Sequence, residues 1–109
     1  MSEILNRIKS NQQYFETPSS KCQYVEVMDI EAQESMYMPC SVVFNCMILA
    51  IKETGYKGRV SIIHRRDPLI RADGNEEIYF RRYQLGEDGF VHLIKGHGGY
   101  SCYGERDKA

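Results

Sequence analysis

The chain reads as an α+β domain: an antiparallel sheet of about four to five strands, one buried central helix and an N-terminal amphipathic helix, in the order α-β-α-β-β-β. Three observations predict it. Residues 42–51 are apolar almost throughout, interrupted by Asn45, which is the pattern of a helix buried on most sides. Segments around Val25, Ile62 and Phe80 alternate with period two among β-formers. Short stretches containing Gly and Asp join the later segments, as turns join neighbouring antiparallel strands. A barrel-like sheet curled around the same helix is the alternative architecture.

Each element has its own justification. Ser2 is placed to cap a first helix whose stripe is Ile4, Leu5, Ile8 and Phe15, with Thr17-Pro18-Ser19-Ser20 ending it. Residues 22–28 form a strand with Cys22, Tyr24 and Glu26 on one side and Gln23, Val25 and Val27 on the other. Residues 31–38 read as a polar connection. Pro39 suits the first turn of the apolar helix, which runs over 41–52 with Leu49 in its buried centre. So apolar a helix needs cover beyond the sheet, from the N-terminal helix or from a second copy of the chain in a homodimer.

Gly55 and Gly58 end that helix with a left-handed cap and a turn. Residues 59–65 are the next strand, closed by Asp67-Pro68, and 69–72 form a short strand turning through Asp73-Gly74-Asn75. Residues 78–85 and 90–94 then pair as a hairpin through Gly86-Glu87-Asp88-Gly89. A regular register sets Leu85 opposite Phe90, Tyr83 opposite His92 and Arg81 opposite Ile94. Residues 1–109 read as one domain, with 96–109 as a flexible tail.

Charge removes the simplest electrostatic functions. The net formal charge is −1, so the chain is neither a strongly acidic nucleic-acid mimic nor a histone-like polycation. Residues 1–55 carry four Lys/Arg against seven Asp/Glu, and 56–109 carry ten against eight. The positive bias is concentrated between Lys57 and Arg82. The cysteines Cys22, Cys40, Cys46 and Cys102 contain no C-x-x-C pair, and the start Met1-Ser2-Glu3 has no signal-peptide pattern. They are expected to be reduced thiols of a cytoplasmic protein with no metal and no cofactor. The apolar run is much shorter than the roughly 20 residues of a membrane span, so no membrane partner is expected.

The surface most suited to a partner is the hairpin. Alternation sends Tyr79, Arg81, Tyr83 and Leu85 to one face, and the regular register adds His92 beside them. A guanidinium stacks on rings while still donating hydrogen bonds, and Arg with Tyr is the composition of interface hot spots. The leading expectation is therefore a small regulatory or inhibitory protein-binding module that docks through Tyr79, Arg81, Tyr83 and His92. The alternative is a nucleic-acid-binding protein that uses Arg59, Arg65, Arg66, Arg81 and Arg82 on phosphates and Tyr79 and Tyr83 for stacking.

A third class is a Cys/His-dependent hydrolase or an RNase-like enzyme. Cys40 opens the buried helix, where unpaired N–H groups favour a thiolate, and His92 or His97 is the candidate base. Cys40-Ser41 before an apolar helix, followed later by His97-Gly98-Gly99-Tyr100, resembles two short motifs of the NlpC/P60 group of papain-like cysteine peptidases. In that group a catalytic cysteine opens a helix and a histidine begins a later strand. Pro39 stands where the group usually has Asp. An RNase-like arrangement would instead use His64 and His92 for proton transfer, with Arg65, Arg81 and Arg82 at the phosphate.

Overall fold

The computed structural model describes residues 1–15, 23–66 and 77–97. The short strand expected over 69–72 with its turn, residues 17–20, Cys22, Arg71, and the tail from Gly98 lie outside the described residues. The first helix, expected to carry Phe15 and run to Thr17, already ends at Ser10, with Phe15 extended beyond a 3₁₀ turn. Helix α1 (Glu3–Ser10) runs into a single 3₁₀ turn (Asn11–Tyr14) and is followed by β1 (Tyr24–Asp29), β2 (Glu34–Pro39), α2 (Cys40–Thr54), β3 (Val60–Arg66), β4 (Glu77–Leu85) and β5 (Val91–His97). The order is α-β-β-α-β-β-β, an α+β arrangement with one strand more, between β1 and α2, than the sequence reading placed there. The five strands form one open sheet in the order β2-β1-β3-β4-β5, and every neighbouring pair is antiparallel.

The extra strand corrects the reading of 31–38 as a polar connection. Ser35 and Tyr37 point outward while Met36 and Met38 are buried, which is the period-two signature of a one-sided edge strand. Its turn escaped notice because no Gly or Asn-Gly marks it. Gln33 takes the left-handed conformation (φ 57°), its N–H donates to the Asp29 carbonyl at 2.8 Å, and the Asp29 carboxylate accepts from the Ala32 N–H at 3.4 Å.

α1 starts where expected, with the Ser2 hydroxyl accepting from the Leu5 N–H at 3.3 Å. Its buried face, Ile4, Leu5 and Ile8, covers one flank of α2. Buried Asn11 reinforces the contact by donating to the Cys46 carbonyl and to the Glu53 carboxylate, both at 3.3 Å. Arg7 pairs with the same carboxylate at 3.4 Å. The cover that the apolar helix requires thus comes, on that flank, from the chain itself. α2 also has a narrow outward stripe that the sequence hides: Ser41, Asn45 and Lys52 are exposed, and Leu49, expected in its buried centre, is only half-buried. Gly55 closes the helix in the left-handed conformation (φ 69°), with its N–H donating to the Ile51 carbonyl at 2.8 Å.

Both helices pack on one face of the sheet. The core joins α1 and α2 to Val25 and Val27 of β1, Met36 and Met38 of β2, Val60 and Ile62 of β3 and Tyr83 of β4. No helix among the described residues is long and apolar enough to cross a membrane.

Candidate functional site

The pairing register decides which side chains the sheet presents. In the β4–β5 hairpin the loop is one residue longer than expected, so Leu85 faces Val91, Gln84 faces His92 and Tyr83 faces Leu93. A bulge then leaves Ile94 unpaired before Arg82 meets Lys95 and Arg81 meets Gly96. Because strand side chains alternate, a slip of one residue moves a whole set to the opposite face. His92 therefore shares a face with Gln84 and not with Tyr83. Gly86 and Gly89 set the longer loop: the Gly86 N–H donates to the Phe90 carbonyl at 2.8 Å, and Gly89 has φ 83°.

The expected patch of Tyr79, Arg81, Tyr83 and His92 is consequently divided. Tyr83 is 2% exposed and its ring meets Phe44 of α2 edge-on at 5.6 Å, and Arg81 is 6% exposed on the same helix-covered face. Tyr79 is half-buried there and lies 6.3 Å from the His97 ring. His92 sits at the hairpin end and bonds the Asp88 carboxylate at 2.8 and 2.9 Å. That histidine, together with the Phe90 N–H, holds the Asp88 carboxyl below its ordinary range.

The phosphate candidates separate too. Arg59 makes a two-pronged contact with the Glu31 carboxylate, from Nε at 2.8 Å and from a terminal nitrogen at 3.2 Å, and its backbone N–H donates to the same group at 2.9 Å. The arginine brings the Glu31 carboxyl down to about 2. Arg65 and Arg66 occupy β3 positions opposite Ile78 and Glu77. Arg82 falls on the sheet face opposite Arg81. The nucleic-acid reading thus loses Arg59 to an internal partner.

The chemical candidates are likewise dispersed. Cys40 is buried at the start of α2 with its N–H donating to the Gln23 carbonyl at 2.8 Å. His92 lies at the opposite end of the sheet, about 20 Å away along the strand direction at 3.3 Å per register step. His97 pairs with Phe80 at the end of β5, beside the Tyr79 ring and across the sheet from β2, which leads into Cys40. His64 and His92 are separated in the same way as Cys40 and His92, so the RNase-like pairing does not assemble. Burial pushes the Cys46 thiol up to about 11, which keeps it protonated. Among the described residues, no three His, Cys, Asp or Glu side chains are grouped to hold a metal ion.

A cleft of 320 Å³ lies between the start of α1 and the end of α2, with Asp29 and Tyr56 in its wall. The Tyr56 hydroxyl donates to the buried Asp29 carboxylate at 2.6 Å; burial, then that contact, raises the phenol's pKa. Asp29 also holds the β1–β2 turn, so its carboxylate is occupied by the fold.

What remains is the sheet face that no described helix covers. Alternation from the buried Val25, Val27, Ile62 and Tyr83 puts Tyr24, Glu26 and Met28 of β1, Tyr37 of β2 and Ile63 of β3 on it, with Ile78, Phe80 and Arg82 of β4 and Lys95 of β5. Tyr24 is 63%, Tyr37 59% and Ile78 40% exposed. The Arg82 guanidinium lies 5.4 Å from the Phe80 ring centroid, a cation stacked on its own strand's aromatic. Its Nε is buried and has no hydrogen-bond partner. Sequence reading missed Tyr37 and Lys95 here; the alternation Ser35-Met36-Tyr37-Met38 was the available signal for the first, and nothing in the sequence announced the bulge that positions the second. Comparison with protein-family models, with curated proteins and with solved structures finds no match to this chain.

Proposed function

We propose that this protein is a binding module that docks a protein partner on the open face of its sheet. One observation carries the reading: exposed Tyr24, Tyr37 and Ile78 share a face with a ring-stacked arginine, and no described helix packs on it. Aromatic rings with arginine are the composition of hot spots, and rings bury large area with few rotamers to freeze. The near-neutral chain charge and the internal pairing of Arg59 favour a protein over a nucleic acid. The dispersal of Cys40, His64, His92 and His97 favours docking over catalysis.

The test is affinity capture from the native host after nuclease treatment, comparing the wild-type chain with the double variant Tyr24→Ala and Tyr37→Ala. These exposed positions cost under about 0.5 kcal/mol each in stability, so the variant should keep its circular dichroism and lose the captured protein. A partner retained equally by both chains would overturn the reading. A partner lost to nuclease alone would transfer it to nucleic acid.

A further inference from the structure

We infer that the segment docked on this face is acidic and apolar together: a carboxylate seated between Arg82 and Lys95, followed about three residues later by an apolar side chain over Met28 and Tyr37. The inference rests on the docking function proposed above and names its partner's chemistry.

Arg82 and Lys95 are direct cross-strand neighbours on β4 and β5. Like charges so placed repel, and an anion between them reverses the sign of the interaction. Arg82 is half-buried and stacked on Phe80, so its guanidinium is already positioned before an anion arrives. The carboxylates nearby are engaged. Glu31 is bound by Arg59 through three contacts, and Glu26, buried on the same face, has a polar partner of its own.

The surroundings select a carboxylate side chain over a polyphosphate backbone. A nucleic acid needs a track of cations, whereas this pair is bordered by Ser61, with Phe80, Ile63 and Glu26 making up the next row. The spacing follows from the sheet. Met28, Ser61 and Arg82 lie side by side on successive strands, so Met28 is about 10 Å from Arg82, close to the roughly 9 Å that one three-residue turn of a polyproline-II peptide covers while returning the side chain to the same side.

The experiment selects phage-displayed random dodecapeptides on the immobilised full chain and maps the winners by amide chemical shifts, with a single-stranded oligonucleotide titrated in parallel. The expected result is enrichment of Asp or Glu followed three residues later by an apolar residue, with shifts on Met28, Tyr37, Arg82 and Lys95. R82Q and K95Q, each confirmed as folded by its dispersed amide spectrum, should weaken binding at least about tenfold. Peptides that shift this face but carry no acid, or that bind R82Q as tightly as wild type, overturn the acidic assignment and leave the docking face standing. Peptides that map elsewhere, or a library without enrichment, overturn both. Saturable shifts on this face from the oligonucleotide, in the absence of peptide enrichment, would assign the pair to phosphate instead.

Discussion

Tyr83→Ala gives the sharpest test of how the sheet is faced. If Tyr83 stood on an outward patch, as its sequence neighbours suggest, truncation would weaken binding and spare the fold. The structure requires the reverse. Tyr83 is 2% exposed, its ring meets Phe44 edge-on at 5.6 Å, and it sits between Val60 of β3 and Leu93 of β5. Removing a buried aromatic side chain costs about 3–5 kcal/mol, because the lost transfer energy adds to a cavity that the sheet and α2 cannot close. The edge-to-face contact with Phe44 contributes about 0.5–1.5 kcal/mol of specific interaction within that figure. A domain of this size has about 5–15 kcal/mol in total, so the variant should lose a large fraction of its stability.

Urea titration followed by far-ultraviolet circular dichroism measures the loss, with Tyr37→Ala on the opposite face as the matched control. Tyr37 is 59% exposed, and its truncation should cost under about 0.5 kcal/mol. A large loss for Tyr83 beside a negligible one for Tyr37 is the expected pair of results. A Tyr83→Ala loss below about 1 kcal/mol, or equal losses at the two positions, would refute the assignment of faces and with it the docking surface built upon it.

Ile51→Ala should cost about 2–5 kcal/mol and Leu49→Ala distinctly less, since Ile51 is fully buried in the core and Leu49 is only half-buried; equal losses in urea melts would mean that α2 is rotated. The Glu31 carboxyl should titrate near 2 by carbon-13 NMR because of its Arg59 contacts, and a midpoint near the ordinary value of about 4.3 would show that the pair does not persist in solution. Its folded pKa is depressed, so its contribution to stability is complete above about pH 4.3 and fades as the pH falls towards 2. Gly55→Ala should destabilise by about 1 kcal/mol, because φ is 69° there and the surrounding space is open, leaving backbone strain as the cost; a neutral or stabilising result in thermal melts would contradict the left-handed cap.

The elements were legible wherever local chemistry announces itself. Ser2 as a cap, the apolar run of α2, Gly55 as a left-handed terminator and the alternation of β1, β3 and β4 all reflect short-range physics, and all appear in the structure. β2 was hidden because its turn relies on Gln33 at positive φ, a conformation that residue type does not advertise. The faces were harder still. A strand such as Ile78-Tyr79-Phe80-Arg81-Arg82-Tyr83 carries rings and cations on both sides, so alternation separates two sets without saying which is inside. Tertiary packing decides that, through Val60 and Ile62 on β3, whose partners Tyr83 and Arg81 must then face α2.

The one-residue bulge in β5 shows how a detail beyond local pattern shapes the candidate site. Up to Tyr83 and Leu93 the hairpin ladder is regular, and continuing it would set Arg82 opposite Ile94 and Arg81 opposite Lys95. Lysine would then lie on the helix-covered face beside an arginine already buried there, and the open face would gain an isoleucine. Leaving Ile94 out of the ladder exchanges the two: Gly96 comes opposite Arg81, and Lys95 reaches the open face beside Arg82. The exchange replaces a buried repulsion by an exposed one. Repulsion on an exposed face is screened by water and can be relieved by a bound anion, whereas the same pair beneath α2 would have neither remedy. The bulge therefore relieves the core and places both cations on the opposite face in a single step, which ties the stability of the hairpin to the charge of that face.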